Sequence, residues 1–162
     1  MNIDHVLQTF NDCGVRYMLI GGMNFALRHQ PYTTYDIDLW IEDSDENVVA
    51  CDTALAKWGR TDSEWDLTRN LPPNWLRTQG VFSLHSPHGA IDIFRAVKGL
   101  GEWEDSFGRS IQEKTNSGSV YQGLGDDDMI RCQLALDASH RKVDRVRVIQ
   151  AKLQNKGNEN DA

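Results

Sequence analysis

The sequence lacks the features of membrane and secreted proteins. No apolar run approaches the roughly 20 residues of a membrane span, and no signal-peptide pattern opens the chain. Its three cysteines are far apart, odd in number and form no CxxC pair, which favours reduced thiols over a disulfide framework. We therefore expect a cytoplasmic protein with no membrane partner.

The sequence also lacks an excess of basic residues and several phosphate-binding motifs. A formal net charge of −7 argues against broad, unspecific binding of nucleic acid. It leaves open a small substrate, or an RNA end held at one local basic patch. No Gly-x-Ser-x-Gly, P-loop lysine motif or kinase set is present, so the sequence does not support those chemistries.

The composition is that of a globular α/β (α+β) protein. The chain has 162 residues, 40% of them hydrophobic and 25% charged, which predicts one domain with a proper core. We expect this domain to span residues 1–154, with helices flanking a mixed central sheet and closing the C-terminal end. The polar residues 155–162 predict a disordered tail.

One stretch of the chain has the order strand, double glycine, helix, strand. Tyr17–Ile20 is an apolar run short enough for a buried strand, and Gly21-Gly22 ends it. Met23–His29 has the composition of a short helix, which Gln30-Pro31 stops. Asp36–Ile41 then begins with the strict alternation of a second strand.

This order suits the binding of a nucleoside triphosphate with its metal ions. Two glycines let the backbone approach a ligand, and a helix N-terminus adds a positive dipole end. Asp36 and Asp38 lie on one strand face, roughly 6.6 Å apart along it. Two carboxylates at so short a separation can converge on two divalent ions, and magnesium prefers such hard oxygen ligands.

The remaining pattern predicts further helices, two hairpins and one weak region. Ile3 to Phe10 shows one apolar helix face, and Ser44 or Asp45 can cap a helix that closes at Gly59. Two hairpins are predicted, of Val81–His85 with Ala90–Phe94 and of Ser110–Lys114 with Ser119–Gln122. Further helical segments are predicted at Trp103 (one turn), from Asp126 to about Ser139 and from Lys142 to Leu153. The weak region contains a short strand at Glu64–Thr68 and a turn beginning at Pro72-Pro73.

One pattern in the chain resembles the signature of a known superfamily. It consists of Gly21-Gly22, thirteen intervening residues and then Asp36-Ile37-Asp38. That superfamily is the nucleotidyltransferase superfamily typified by DNA polymerase beta, and the small size resembles its minimal bacterial members from toxin–antitoxin and defence operons. The resemblance implies a nucleotidyltransferase-like fold and a third metal-binding aspartate on a later strand. Asp92, between Ile91 and Ile93, is the candidate for it.

The resemblance also implies roles for individual residues. Asp36, Asp38 and Asp92 would be catalytic and would bind two Mg²⁺ ions. The residues expected to bind the donor nucleoside triphosphate, such as ATP, are Gly21, Gly22, Thr34 and Lys142. The family often has an arginine two residues before Thr34, where this chain has Tyr32. Arg28, on the preceding helix, is one candidate for that missing charge.

Several alternatives stay open on the sequence alone. The acceptor hydroxyl can belong to an RNA end, a protein side chain or a small molecule. The rival interpretation is a binding module of the same fold that acts through a toxin or antitoxin partner protein. Asp126-Asp127-Asp128 are better explained by a helix N-terminus than by a metal cluster. His85 and His88 lie three residues apart but have no further ligand nearby, so we do not expect zinc.

Overall fold

The fold is α+β and is built on one mixed sheet of six strands. A computed structural model describes residues 1–59 and 75–160. In these ranges the strands are Tyr17–Ile20 (β1), Asp36–Ile41 (β2), Val81–Ser86 (β3), Gly89–Phe94 (β4), Ile111–Lys114 (β5) and Val120–Gly123 (β6). The α-helices are Ile3–Asp12 (α1), Gly21–Arg28 (α2), Asp45–Gly59 (α3), Trp103–Gly108 (α4), Asp126–Leu134 (α5) and Val143–Asn160 (α6), with 3₁₀ turns at Trp75–Arg77 and Ala138–His140.

The sheet brings together strands that are far apart in the sequence. Its order is β3-β4-β2-β1-β6-β5. The pairs β2/β4 and β1/β6 are parallel, and the other three neighbouring pairs are antiparallel. The prediction that Tyr17–Ile20, Asp36–Ile41 and Ala90–Phe94 share one sheet is confirmed.

Alternation along the central strands gives the sheet an apolar cluster on each face. Leu19 and Leu39 belong to the first cluster, with the buried faces of α1 and α3. Met18 and Trp40 belong to the second, with residues of α2, α4, α5 and α6. Asp36 and Asp38 have the same parity in β2 as Trp40, so they lie on the second face.

Two helices end at other positions than the sequence predicts. Helix α5 stops at Leu134, not near Ser139, and Arg141 donates hydrogen bonds to the carbonyls of Leu134 and Leu136. These bonds satisfy carbonyls that a helix end leaves without intrahelical partners. Helix α6 continues to Asn160, through residues for which the sequence predicts a disordered tail. Each added helical residue gains a backbone hydrogen bond, and no proline interrupts this segment.

Two predicted elements lie wholly or partly outside the described residues. The strand at Glu64–Thr68 and the start of the turn at Pro72-Pro73 lie outside the described residues, whereas its end is the 3₁₀ turn at Trp75–Arg77. Within 1–59 and 75–160, no helix combines the length and the apolar character that crossing a membrane requires.

Candidate metal centre

Three aspartates converge on the second face of the sheet. β2 and β4 are parallel neighbours, and their register pairs Asp38 with Asp92, while Asp36 precedes Asp38 by two residues. One carboxylate oxygen of each residue lies within 4.8 Å of the other two. Among the described residues this acid triad is the only group of three or more His, Cys, Asp or Glu placed to hold a metal ion. The predicted proximity of Asp92 to Asp38 is confirmed.

The acid triad has the donor chemistry of a site for hard cations. Its three members are half-buried carboxylates, which offer only oxygen ligands. Hard divalent cations such as Mg²⁺ and Ca²⁺ take oxygen ligands, and the remaining positions can be completed by water or by substrate. The residues present therefore fit a divalent ion.

The charge of Asp38 is unfavourable in the protein alone. Burial is the main cause, followed by the nearby charges of Asp36 and Asp92 and a hydrogen bond with Asp92. Together they raise the pKa of Asp38 to about 7, although the positive charge of Arg145 acts in the opposite direction. Near neutral pH Asp38 is thus partly protonated, and a bound cation would displace the proton.

The two glycines make room for the acidic residues. Gly21 has a φ of +66°, and a Cβ there would lie 2.0 Å from Asp38 Oδ2. A Cβ at Gly22 would lie 2.9 Å from Thr34 Oγ1. Thr34 in turn donates a hydrogen bond to Asp36 Oδ1 at 3.2 Å. Gly21, Gly22 and Thr34 are therefore needed for the shape of the triad, whatever they contact in a ligand.

Helix α2 begins earlier than predicted and directs its first turn toward the same region. It starts at Gly21, not at Met23, so the double glycine is the first turn of the helix and not a loop before it. The preceding residue, Ile20, provides no side-chain cap. The N-terminus of an α-helix is favourable for negative charge, and here it adjoins Asp38.

A cavity of about 480 Å³ opens beside the triad, with Gly21 and Asp38 in its wall. The lining includes the basic residues Lys98, Lys142 and Arg145. It also includes the apolar residues Ile20, Val81, Phe94, Val97 and Leu136. The cavity is thus lined by one acidic residue, several basic residues and apolar surface. Such a lining suits a ligand that has both an apolar body and negative charge.

Lys142 lies at this cavity, immediately before helix α6. Its backbone N–H donates to Gln133 Oε1 at 2.8 Å, and the residue is exposed. A positive charge at a helix N-terminus opposes the helix dipole, so helix stability does not explain a lysine here. The predicted role of Lys142 in binding phosphate stays a prediction.

Arg145 is a residue of the cavity that sequence reasoning missed. Its guanidinium lies over the ring of Tyr32, with 4.5 Å from Cζ to the ring centroid. It stands three residues after Lys142, and this spacing puts both on one side of a helix. That spacing is the sequence signal that could have identified Arg145.

Arg28 does not supply the missing charge. Its side chain is 4% exposed and pairs with Asp126 at 2.9 Å, and its Nη1 also donates to the carbonyl of Leu124 at 2.6 Å. Arg28 is not among the residues that line the cavity. The suggestion that it replaces the arginine expected at Tyr32 is therefore wrong.

The aspartates that open α5 are structural, as the sequence predicts, but with a further role. Asp126 and Asp128 begin the helix and are also buried. Asp126 contacts His29 Nε2 at 2.9 Å, and Asp128 pairs with Arg109 at 3.0 Å and Arg131 at 3.1 Å. These contacts fix α5 to α2 and to the residue that follows α4.

Comparison of the chain with protein-family models and with curated proteins finds no match.

Proposed function

We propose that the protein is a magnesium-dependent nucleotidyltransferase with a nucleotidyltransferase-like fold. It would transfer a nucleoside monophosphate from a nucleoside triphosphate to an acceptor hydroxyl and release pyrophosphate. The observation that carries this proposal is the convergence of Asp36, Asp38 and Asp92 beside a cavity that basic residues also line. The spacing from Gly21-Gly22 to Asp36 supports it independently.

Asp36, Asp38 and Asp92 would hold the two Mg²⁺ ions. When bound, these ions would compensate the negative charge of the triphosphate and of the reacting oxygens. The protein's own contribution is to keep three carboxylates together despite their mutual repulsion. Parallel pairing of β2 with β4 fixes Asp38 beside Asp92, and Thr34 holds Asp36.

The reaction would be an in-line displacement at the α-phosphorus. The acceptor oxygen forms a bond to that phosphorus while the bond to the bridging oxygen of pyrophosphate breaks. Asp92, the triad residue contributed by β4, would accept the proton of the acceptor hydroxyl. The first-turn amides at Gly21 and Gly22, together with Lys142, would bind the leaving phosphates.

The acceptor class stays open among an RNA end, a protein side chain and a small molecule. The decisive experiment incubates the protein with each labelled nucleoside triphosphate, magnesium and a cell lysate, and follows both pyrophosphate release and label transfer. Asp36→Asn and Asp38→Asn should each lower the transfer rate roughly a thousandfold or more. Asp144→Asn is the matched control, because the Asp144 side chain is 96% exposed.

A well-folded protein that releases no pyrophosphate with any nucleotide or lysate would contradict the proposal. It would favour a protein of the same fold that acts by binding a partner, such as the other component of a toxin–antitoxin pair. Transfer that survives Asp38→Asn unchanged would equally remove the triad from the reaction.

A further inference from the structure

The guanidinium of Arg145 packs on an aromatic ring and has hydrogen-bond donors left without a partner among the described residues. It lies over the ring of Tyr32, and its Nη2 donates to the Tyr32 hydroxyl at 3.3 Å. The Tyr32 ring packs edge-on against Phe25, with 5.4 Å between ring centroids, and Phe25 is buried. A buried aromatic residue of α2 thus supports the ring on which Arg145 rests.

Part of the Arg145 side chain is buried without a partner. Its Nε is inaccessible to solvent and has no hydrogen-bond partner within the described part of the chain. Several other arginines are neutralised by carboxylates, such as Arg95 by Asp43 at 2.9 Å and Arg109 by Asp128 at 3.0 Å. In residues 1–59 and 75–160, no carboxylate lies within ion-pair distance of Arg145.

We propose that Arg145 binds the triphosphate of the donor nucleotide, and that Tyr32 is the residue that positions it. This inference rests on the proposed function for the identity of the ligand as a nucleotide. Arg145 lines the same cavity as Asp38, Gly21 and Lys142. A planar guanidinium matches phosphate oxygens in a two-bond geometry, which a lysine ammonium does not reproduce.

The arrangement also explains how this chain functions with a tyrosine at position 32. Tyr32 carries no charge itself, but its ring face attracts the guanidinium and its hydroxyl accepts a hydrogen bond from it. The positive charge is therefore supplied by α6, and Tyr32, in the loop before β2, holds it in place.

The test measures binding of inorganic tripolyphosphate by calorimetry, with a metal chelator and at low ionic strength. Arg145→Met should weaken binding at least tenfold, and Arg145→Lys should retain part of the affinity. Arg147→Met is the control, because Arg147 is on the same helix and its side chain is 75% exposed. Thermal melts verify that each variant is folded.

Equal affinity of Arg145→Met and Arg147→Met would overturn the proposal, and so would the absence of binding by the unaltered protein. Neither outcome bears on nucleotidyl transfer, because tripolyphosphate contains no nucleotide and the metal is removed. Transfer is tested separately by Asp36→Asn and Asp38→Asn, so failure of this inference and failure of the proposed function are distinguishable.

The positioning role of Tyr32 is tested by a double-mutant cycle with the same ligand. Tyr32→Leu should weaken tripolyphosphate binding about as strongly as Arg145→Lys, whereas Tyr32→Phe, which keeps the ring, should stay within about twofold of the unaltered protein. Combined with Arg145→Met, Tyr32→Leu should cause no additional loss. Additive losses, or equal effects of the leucine and phenylalanine variants, would overturn the positioning role.

Discussion

Replacement of Asp38 by asparagine should stabilise the metal-free protein at neutral and alkaline pH, by an amount that depends on pH. The pKa of Asp38 is about 7 in the folded protein against 3.8 in the unfolded reference, a rise of about 3 units. Each unit corresponds to 1.36 kcal/mol, so ionising Asp38 costs the fold about 4 kcal/mol in total. Asparagine is never charged and has nearly the same shape, so the variant avoids this cost.

The sign of the effect follows from the raised pKa. Below pH 3.8 the carboxyl is protonated in both states, and the two proteins should have similar free energies of unfolding. As the pH rises through 7, the unaltered protein loses the stability that the neutral carboxyl provides, and the variant does not. Rather more than half of the difference, about 2.5 kcal/mol, should develop between pH 5 and pH 8.

The assay is urea denaturation of both proteins at pH 5, 6, 7 and 8, in the presence of a chelator. At pH 8 the thermal midpoint of Asp38→Asn should also lie roughly 10 °C higher, as expected for a chain of this length. Asp144→Asn, at a 96% exposed position, should show no such pH trend. Magnesium should then stabilise the unaltered protein at pH 8 and have much less effect on the variant.

Two results would refute this reasoning. One is a stability gain for Asp38→Asn that is the same at pH 5 and pH 8, since the ionisation of buried Asp38 would then not be its cause. The other is a loss of stability at pH 8, which would mean that the charged Asp38 carboxylate has a structural partner.

Three further predictions concern the frame of the site, and urea denaturation checks each of them. Gly21→Ala should cost about 2 kcal/mol or more, because φ is +66° and the new Cβ overlaps Asp38. Gly157→Ala in α6 should instead stabilise by about 0.5–1 kcal/mol, since a Cβ there meets nothing within 4 Å, and equal effects of the two changes would contradict the argument. Arg28→Met should lower the free energy of unfolding by about 3–5 kcal/mol, because the buried charge of Asp126 would lose its arginine partner. An unchanged free energy of unfolding would show that this ion pair is dispensable. Leu55→Ala, at a fully buried position, should cost about 2–5 kcal/mol, and a smaller loss would mean that the first cluster repacks.

The strands of the site could be predicted from the sequence because their signals are local. Tyr17–Ile20 is a continuous apolar run, and all four of its residues are buried. Asp36–Ile41 alternates at its start and has the bounds that the pattern predicts. The hairpin that contains Asp92 was likewise identified from its two strands and the intervening turn.

The contact between Asp38 and Asp92 could not be derived from these local signals. It depends on the parallel pairing of β2 with β4, which are separated by α3 and by β3. No periodicity within either strand specifies that pairing or its register. The expectation for Asp92 depends on the resemblance of the motif to a family, and the structure confirms the proximity of Asp92 to Asp38.

Arg145 escaped prediction for a related reason. From the sequence it is one of several basic residues in a helix, and its neighbours Asp144 and Arg147 suggest a solvated face. Only the packing of α6 against the second face of the sheet places it over Tyr32. Tyr32 departs from the family pattern, in which an arginine is frequent at this position. Arg145, which contacts it, lies more than a hundred positions later in the chain.

Several features that oppose stability occur together around the triad, although positive-φ glycines and buried polar atoms without partners are also found elsewhere in the described residues. The triad contains a carboxyl whose ionisation is unfavourable, Gly21 adopts a conformation rare for other residues, and Lys142 precedes a helix whose dipole disfavours its charge. Arg145 adds a buried polar atom without a protein partner among the described residues. Elsewhere, buried charged residues such as Asp126 and Asp128 form ion pairs. Because local conflicts of this kind persist in proteins mainly where function requires them, their coincidence around one cavity supports a ligand that relieves them together: cations at the triad and a polyphosphate at the basic residues that line the cavity.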